Sequence, residues 1–323
     1  MSDTYTLYTR SNFDGLVCAS LLKEIGLIDS VKFVHPKDVQ DGKIQLTGND
    51  ITASLPYTPE VYIAFDHHSS EAARVKTVRD NYIIEPAAPS SARIIYEYFG
   101  GEDRFSPNLN NLMNSVDEAD CTNFTKEDIF SPKDWVMLSF ITDPRTGLGR
   151  FKNFTISNYN LMLKLAASFS QKTIDEIMLD SDVRERVKLY NEEQEKFQEQ
   201  IQRCTRVKDS IAYLDVRNES VIHAGNRFMV FAMFPECTLA VHEFFGREKN
   251  NTVFAVSKSI LNKSCSIDIG ALMYEFDGGG HMNAGTCQVE NERADETLEK
   301  IISRIKTLEA ESKQEAFNEA GNV

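Results

Sequence analysis

The apolar run Val61-Tyr62-Ile63-Ala64-Phe65 stops abruptly at Asp66-His67-His68. Its length fits a short buried strand and is too short for a helix. Residues 4–8 alternate and are β-prone, residues 16–25 are apolar and helix-compatible with Gly26 as a stop, and residues 31–34 read as a second strand. Strands alternating with helices predict an α/β fold with a doubly wound, mainly parallel sheet. Such sheets bind ligands beyond the carboxyl ends of their strands. The polar clusters around Asp14 and Asp66 both fall at such ends.

Further along, residues 91–99 and 109–119 read as helices, and residues 135–141 form an apolar run before a loop that carries Arg145 and Arg150. Val183, Val187, Tyr190, Gln194, Phe197, Ile201 and Cys204 repeat at spacings of four and three, which predicts one long amphipathic helix. A connecting helix packed on a domain is the expectation, and a homodimer coiled coil is the alternative. After Lys208 the signal turns β-rich, at residues 211–214, 228–231, 237–241 and 253–256. A helix over 269–274 precedes Gly278-Gly279-Gly280-His281, and a charged helix with a loose end begins at Ala294. The expected organisation is a larger domain over 1–185, the helix over 186–207, and a smaller α/β domain over 208–323.

Charge narrows the function. The formal net charge is −14, whereas a protein that coats duplex DNA is usually basic. An acidic chain that handles phosphates needs a local cationic pocket, bound metal ions, or both. No apolar run approaches the length of a membrane span, and residues 1–5 show no secretion signal. The six cysteines are scattered without a CxxC pair, as in a reducing cytoplasm, where we expect the protein to reside.

Three potential metal ligands at the end of a buried strand suggest chemistry, because carboxylates crowded together take up protons unless a cation sits among them. An Asp-His-His tripeptide alone also fits a surface loop. The whole set is more specific. Asp14 follows the first strand, Asp50 opens Asp50-Ile51-Thr52, Asp117 lies in Val116-Asp117-Glu118-Ala119-Asp120, and the glycine triplet with His281 comes roughly 210 residues after the Asp-His-His. This order and spacing resembles the DHH phosphoesterase family with its DHH-associated C-terminal domain, over nearly the whole chain. Asp50 to Tyr57, the loop from Asp143 to Arg150, and Gly285-Thr286-Cys287 look most like the exopolyphosphatase-related branch.

The resemblance implies a site for Mn²⁺ or Mg²⁺. Asp14, Asp50, His67 and Asp117 stand for the metal ligands, with Asp120 as a rival to Asp117. Asp66 would orient His67, and His68 would face the phosphate. Hard oxygens plus an imidazole suit these ions. The family's first motif, His-x-x-x-Asp-x-Asp, is here Tyr8, Asn12 and Asp14. One firm ion is therefore expected, with a second weak or absent; Asn12 would offer a carbonyl oxygen, and Arg10 would supply charge in place of the missing ion. Gly278, Gly279, Gly280 and His281 would grip the substrate, helped by Lys258 and Lys263. Arg145 and Arg150 suit phosphate recognition, or are solvated loop residues. Ser90 caps the following helix or lies near the site. His35, His223 and His242 read as structural or exposed.

The expected activity is cleavage of a terminal phosphoester or phosphoanhydride by metal-activated water, as in an exopolyphosphatase. The alternatives are an exo-acting phosphodiesterase on short oligonucleotides or dinucleotides, a nucleoside-bisphosphate phosphatase, or a catalytically weakened phosphate or nucleotide sensor. The partner is a phosphate-containing small substrate or a short oligonucleotide; Phe276, Tyr274 and Phe244 are candidates to stack a base.

Overall fold

The computed structural model describes residues 4–320 apart from 76 and 78. The chain divides into two compact units. The first runs to Glu193 and includes Ala224–Asn226; the second comprises Gln194–His223 and the chain from Arg227 onward.

The first unit is built on five strands, β1 (Tyr5–Thr9), β2 (Ile28–Phe33), β3 (Asp50–Ala53), β4 (Ile63–Asp66) and β5 (Tyr82–Ile84). They are ordered β2-β1-β3-β4-β5, and every neighbouring pair is parallel. The order reverses between β1 and β3, which is the topological switch point where doubly wound sheets bind ligands. Thr9 lies opposite Ala53, and Ala53 opposite Phe65. The chain therefore leaves β1, β3 and β4 at one common edge. Strands β3 and β5 were not foreseen, since runs of four and three residues carry little periodicity.

Helix α1 (Phe13–Glu24) packs Leu16, Val17, Cys18, Ala19, Leu21 and Leu22 with no exposed surface, as expected of a helix enclosed by its neighbours. A second cluster, which includes Tyr8, Leu55, Tyr57, Val61, Ala64 and Tyr82, forms another part of this unit's core. Two further helices bear on the site, α2 (Ser91–Tyr98) and α3 (Pro107–Asp120). The long helix α4 (Ser181–Cys204) buries Val183, Tyr190 and Ile201, and its residues are divided between the two units after Glu193.

The second unit contains β6 (Thr205–Lys208), β7 (Ile211–Asp215), β8 (Leu239–Phe245), β9 (Thr252–Lys258), β10 (Gly279–His281) and β11 (Ala284–Val289), ordered β10-β11-β9-β8-β7-β6. Only β7 and β8 pair in parallel. A parallel pair needs a crossover, and that corrects one expectation: residues 228–231 are not a strand, because Met229–Met233 is a short helix within the β7–β8 connection. One face of this sheet, with Ile211, Tyr213, Leu239, Val241, Phe254, Val256 and Cys287, packs against the helix Ile269–Tyr274 and the C-terminal helix Ala294–Ala320. The C-terminal helix is not loose where it begins, since Ala294, Ile301 and Ile305 are fully buried in this cluster. Among the described residues no helix is long and apolar enough to cross a membrane.

Candidate active site

The turn after β1 is set by two residues. Asn12 caps α1, its Oδ1 accepting the Gly15 amide at 3.1 Å. Gly15 has no substitute, because a Cβ there would sit 2.1 Å from the Arg10 carbonyl oxygen. Asp14 is thereby held in the first helical turn, 2 % exposed. Its Oδ1 accepts the Ala92 amide of α2 at 2.8 Å, and its Oδ2 accepts the Ser54 hydroxyl. Ser54, just past β3, adopts φ 56° although it is not glycine. Its amide donates to the Phe65 carbonyl at 3.0 Å, which fixes that strained turn beside β4.

His67 and His68 follow β4. The His67 Nδ1–H donates to the Ala88 carbonyl at 3.2 Å, leaving Nε2 as the free ring position. Nε2 is buried, lies 3.0 Å from Asp120 Oδ2, and makes no hydrogen bond of good geometry. One ligand atom each from Asp14, His67 and Asp120 lie within 4.8 Å of one another. Burial lowers the His67 pKa, but the Asp120 and Asp14 carboxylates override it and push it up to about 9. Burial, and then repulsion by Asp120, raises that of Asp14. Two crowded carboxylates and an orphaned imidazole nitrogen are a donor set that a divalent cation satisfies and that protons satisfy poorly.

Beside this cluster, Asp66 is fully buried and its Oδ1 accepts the His68 Nδ1–H at 2.6 Å. Tyr82 also donates to Asp66, at 3.5 Å. The bond to Asp66 turns His68 Nε2 outward, where Arg10 Nη1 lies 3.4 Å away. Arg10, His68 and Asp66 therefore come together, but Asp66 orients His68 and not His67, which the Ala88 carbonyl holds instead.

Other expected ligands lie elsewhere. Asp50 begins β3, opposite Thr6, so it sits at the amino end of the sheet, roughly 13 Å along the strand from Ser54. Its carboxylate caps a turn, accepting the Thr47 amide at 2.7 Å and hydroxyl at 2.9 Å. Ser54, just past β3, is the residue that reaches Asp14. Asp117 is taken by Arg93, at 2.9 and 2.6 Å, and by the Ser90 hydroxyl at 2.7 Å; the rival Asp120 joins the cluster. Ser90 also accepts the Arg93 amide and so caps α2. The Asn12 oxygen is used as a helix cap. Tyr8 is buried in the core, its hydroxyl accepting from Lys32 at 2.8 Å.

Arg145 grips Asp143 at 2.7 Å and is half-exposed. Burial works against its charge, and Asp143, with Asp120 behind it, outweighs that; the cluster's field thus reaches this arginine. Arg150 is exposed and lies against Gly147, whose φ is 82°. His35 caps the helix Pro36–Gln40.

In the second unit the glycine triplet separates by role. A Cβ at Gly278 would lie 2.2 Å from the Thr286 carbonyl oxygen, and one at Gly280 would lie 2.3 Å from that of Ala284. Both are explained by the tight β10–β11 hairpin. A Cβ at Gly279 would meet nothing within 4 Å. Gly280→Ala should therefore destabilise the protein by about 2 kcal/mol, while Gly279→Ala should leave the thermal midpoint unchanged; melting curves of both variants check this. His281 is exposed opposite Ala284. Lys258 departs from expectation: it lies opposite Leu239, on the helix-covered face, and its charge acts on Cys265. Lys263 is exposed beyond β9.

No family model matches the sequence, and no curated protein matches it. Among solved structures, the pGpG-specific phosphodiesterase PggH from Vibrio cholerae is 45% identical, covers 94% of this chain and 99% of its own, and superposes with a TM-score of 0.80. CDC45 from Entamoeba histolytica shares the fold at 9% identity and TM-score 0.51, over 94% of this chain and 95% of its own. An exopolyphosphatase-related protein from Bacteroides fragilis is 13% identical over 95% of this chain and 93% of its own, with a TM-score of 0.48. With Asp66-His67-His68 at the carboxyl end of β4, on the edge shared with β1 and β3, and nearly half the residues shared with PggH end to end, the chain belongs to the DHH family of phosphoesterases, hydrolases of phosphoester bonds.

Proposed function

We propose that this protein is a metal-dependent phosphodiesterase that hydrolyses the linear dinucleotide pGpG to two molecules of GMP. The 45% identity to PggH, spread over 94% of this chain and 99% of that one, carries this reading. It displaces terminal cleavage of polyphosphate in favour of the dinucleotide alternative, since nothing of comparable strength supports polyphosphate.

Asp14, His67 and Asp120 would hold one divalent ion, Mn²⁺ or Mg²⁺. When bound, the ion supplies Lewis acidity that activates water and offsets phosphoryl charge. The protein's own residues do the remaining work. The Ala88 carbonyl fixes the His67 tautomer so that the Nε2 lone pair faces the two carboxylates. The Ala92 amide and the Ser54 hydroxyl immobilise both oxygens of Asp14. Asp66 orients His68, and Arg10 beside His68 donates hydrogen bonds to a non-bridging phosphate oxygen. In the second unit, the open side of Gly279 lets a backbone amide approach an anion, with His281 exposed two residues further on.

Assays of pGpG, polyphosphate and a nucleoside 3′,5′-bisphosphate, run in parallel with Mn²⁺, test the reading. GMP formation should dominate; faster phosphate release from polyphosphate would refute it.

Proton competition gives a second check. The His67 pKa of about 9 lies above its ordinary 6.5. In metal-free protein this stabilisation is fully present below pH 6.5 and is lost as pH rises through 9. Metal binding must expel the same proton, so its affinity moves the opposite way. Mn²⁺ should bind about tenfold more tightly at pH 8 than at pH 7, as read by calorimetric titration.

A further inference from the structure

Eight non-glycine residues among those described adopt a positive φ, and Ser54, at 56°, is the one of them that is buried. The other seven are exposed or half-buried. A serine in this conformation is strained relative to glycine, and such strain persists only where the surroundings over-determine it. Here both groups of the peptide entering Ser54 are held. The Ser54 amide donates to the Phe65 carbonyl of β4 at 3.0 Å, and the Ala53 carbonyl accepts the Thr9 hydroxyl of β1 at 3.0 Å. The two strands that flank β3 thus fix the turn, and glycine would follow the same path without strain.

What serine adds is a hydroxyl. Ser54 Oγ meets Asp14 Oδ2, and it lies 2.8 Å from Ser91 Oγ in the first turn of α2. All three residues are buried. Ser54 has one hydroxyl proton. An ionised Asp14, the form that an ion binds, can only accept, so that proton goes to Asp14 and the Ser91 hydroxyl donates to Ser54 Oγ. The next residue, Ala92, donates its amide to the other Asp14 oxygen at 2.8 Å. One helical turn therefore reaches both oxygens of Asp14, directly from Ala92 and through Ser54 from Ser91.

We propose that Ser54 and Ser91 are positioning residues of the metal site: the strained turn after β3 is retained for a hydroxyl that aims Asp14 at the ion, and Ser91 orients that hydroxyl. The proposal rests on the reading of Asp14, His67 and Asp120 as an ion site, and it adds two residues that act behind the ligands. Donors of this kind set a carboxylate before the ion arrives, so their loss is read in ion affinity. A hydroxyl that merely filled space would be read in stability alone.

Calorimetric titration with Mn²⁺ and melting curves in chelator test this on the full-length protein. Ser54→Gly and Ser54→Ala both lose the hydroxyl, but only glycine relaxes the backbone. Both should bind Mn²⁺ about tenfold more weakly, while Ser54→Ala melts about 2–4 °C below Ser54→Gly. Affinity then follows the hydroxyl, and stability follows the backbone. Ser91→Ala should weaken binding about fivefold in the wild-type background. Added to Ser54→Gly it should cost less than about twofold, because it acts through Ser54. Ser91→Gly replaces Ser91→Ala if that variant does not fold. Binding by Ser54→Gly within about twofold of wild type overturns the proposal, and so does an equal loss from Ser91→Ala in both backgrounds. A wild-type protein that binds no Mn²⁺ gives a different result: the ion site itself falls, and the role of both serines falls with it.

Discussion

His67→Ala should abolish divalent-ion binding and lower pGpG hydrolysis by about a thousandfold or more. The imidazole is the cluster's one nitrogen donor, and its Nε2 is buried beside two carboxylates without a well-formed hydrogen bond. Without it, Asp14 and Asp120 remain as crowded carboxylates, and burial with mutual repulsion already raises the proton affinity of Asp14. Protons then compete with the ion on better terms. His68→Ala provides the contrast. It removes the group between Asp66 and Arg10 but no cluster ligand, so Mn²⁺ affinity should hold while kcat falls about a hundredfold. Calorimetric titration with Mn²⁺ and hydrolysis rates, measured on both variants, separate the roles. Mn²⁺ binding by His67→Ala within threefold of wild type would remove His67 from the ligand set.

The roles of the two histidines came from the family resemblance, and Asp66 was assigned to the wrong one, since only the fold shows its carboxylate meeting His68 while the Ala88 carbonyl holds His67. Asp14 was legible as an acid in the first turn after a strand. Asp50 misled because β3 is only four residues long and buried throughout. Its acid lies at a suggestive distance in sequence but at the wrong end of the strand. Ser54 gave no signal, since its role comes from a left-handed backbone that only the fold reveals. The glycine triplet was conspicuous as a motif, but its division into two packing glycines and one open one depends on hairpin register. His242 read as structural or exposed; its place opposite Ala255 and beside the Phe244 ring appears only once the strands are aligned.

Asp117 and Asp120 should respond in opposite ways to removal. Spacing could not separate them, because they lie three residues apart on α3, on adjacent faces. Arg93 decides the matter. Its guanidinium spans to Asp117 at 2.9 and 2.6 Å, and both side chains are largely buried, at 22% and 15% exposure. Asp117→Ala leaves Arg93 with only Glu97 at 3.2 Å and deprives Ser90 of its acceptor. That should cost about 2 kcal/mol of stability while Mn²⁺ affinity stays within threefold. Asp120→Ala should do the reverse. In chelator, its removal relieves the repulsion that raises the Asp14 pKa but also takes away a carboxylate that holds the His67 proton; the two effects oppose, so the melting temperature should change less than in Asp117→Ala. Its Mn²⁺ affinity should fall by more than about a hundredfold, beyond the range typical of losing an outer-shell partner. Melting curves in chelator and calorimetric titrations on the two variants give four readings that must fall in this crossed pattern. Loss of metal with Asp117→Ala and retention with Asp120→Ala would reverse the assignment and place the ion against α2 instead of between Asp14 and His67.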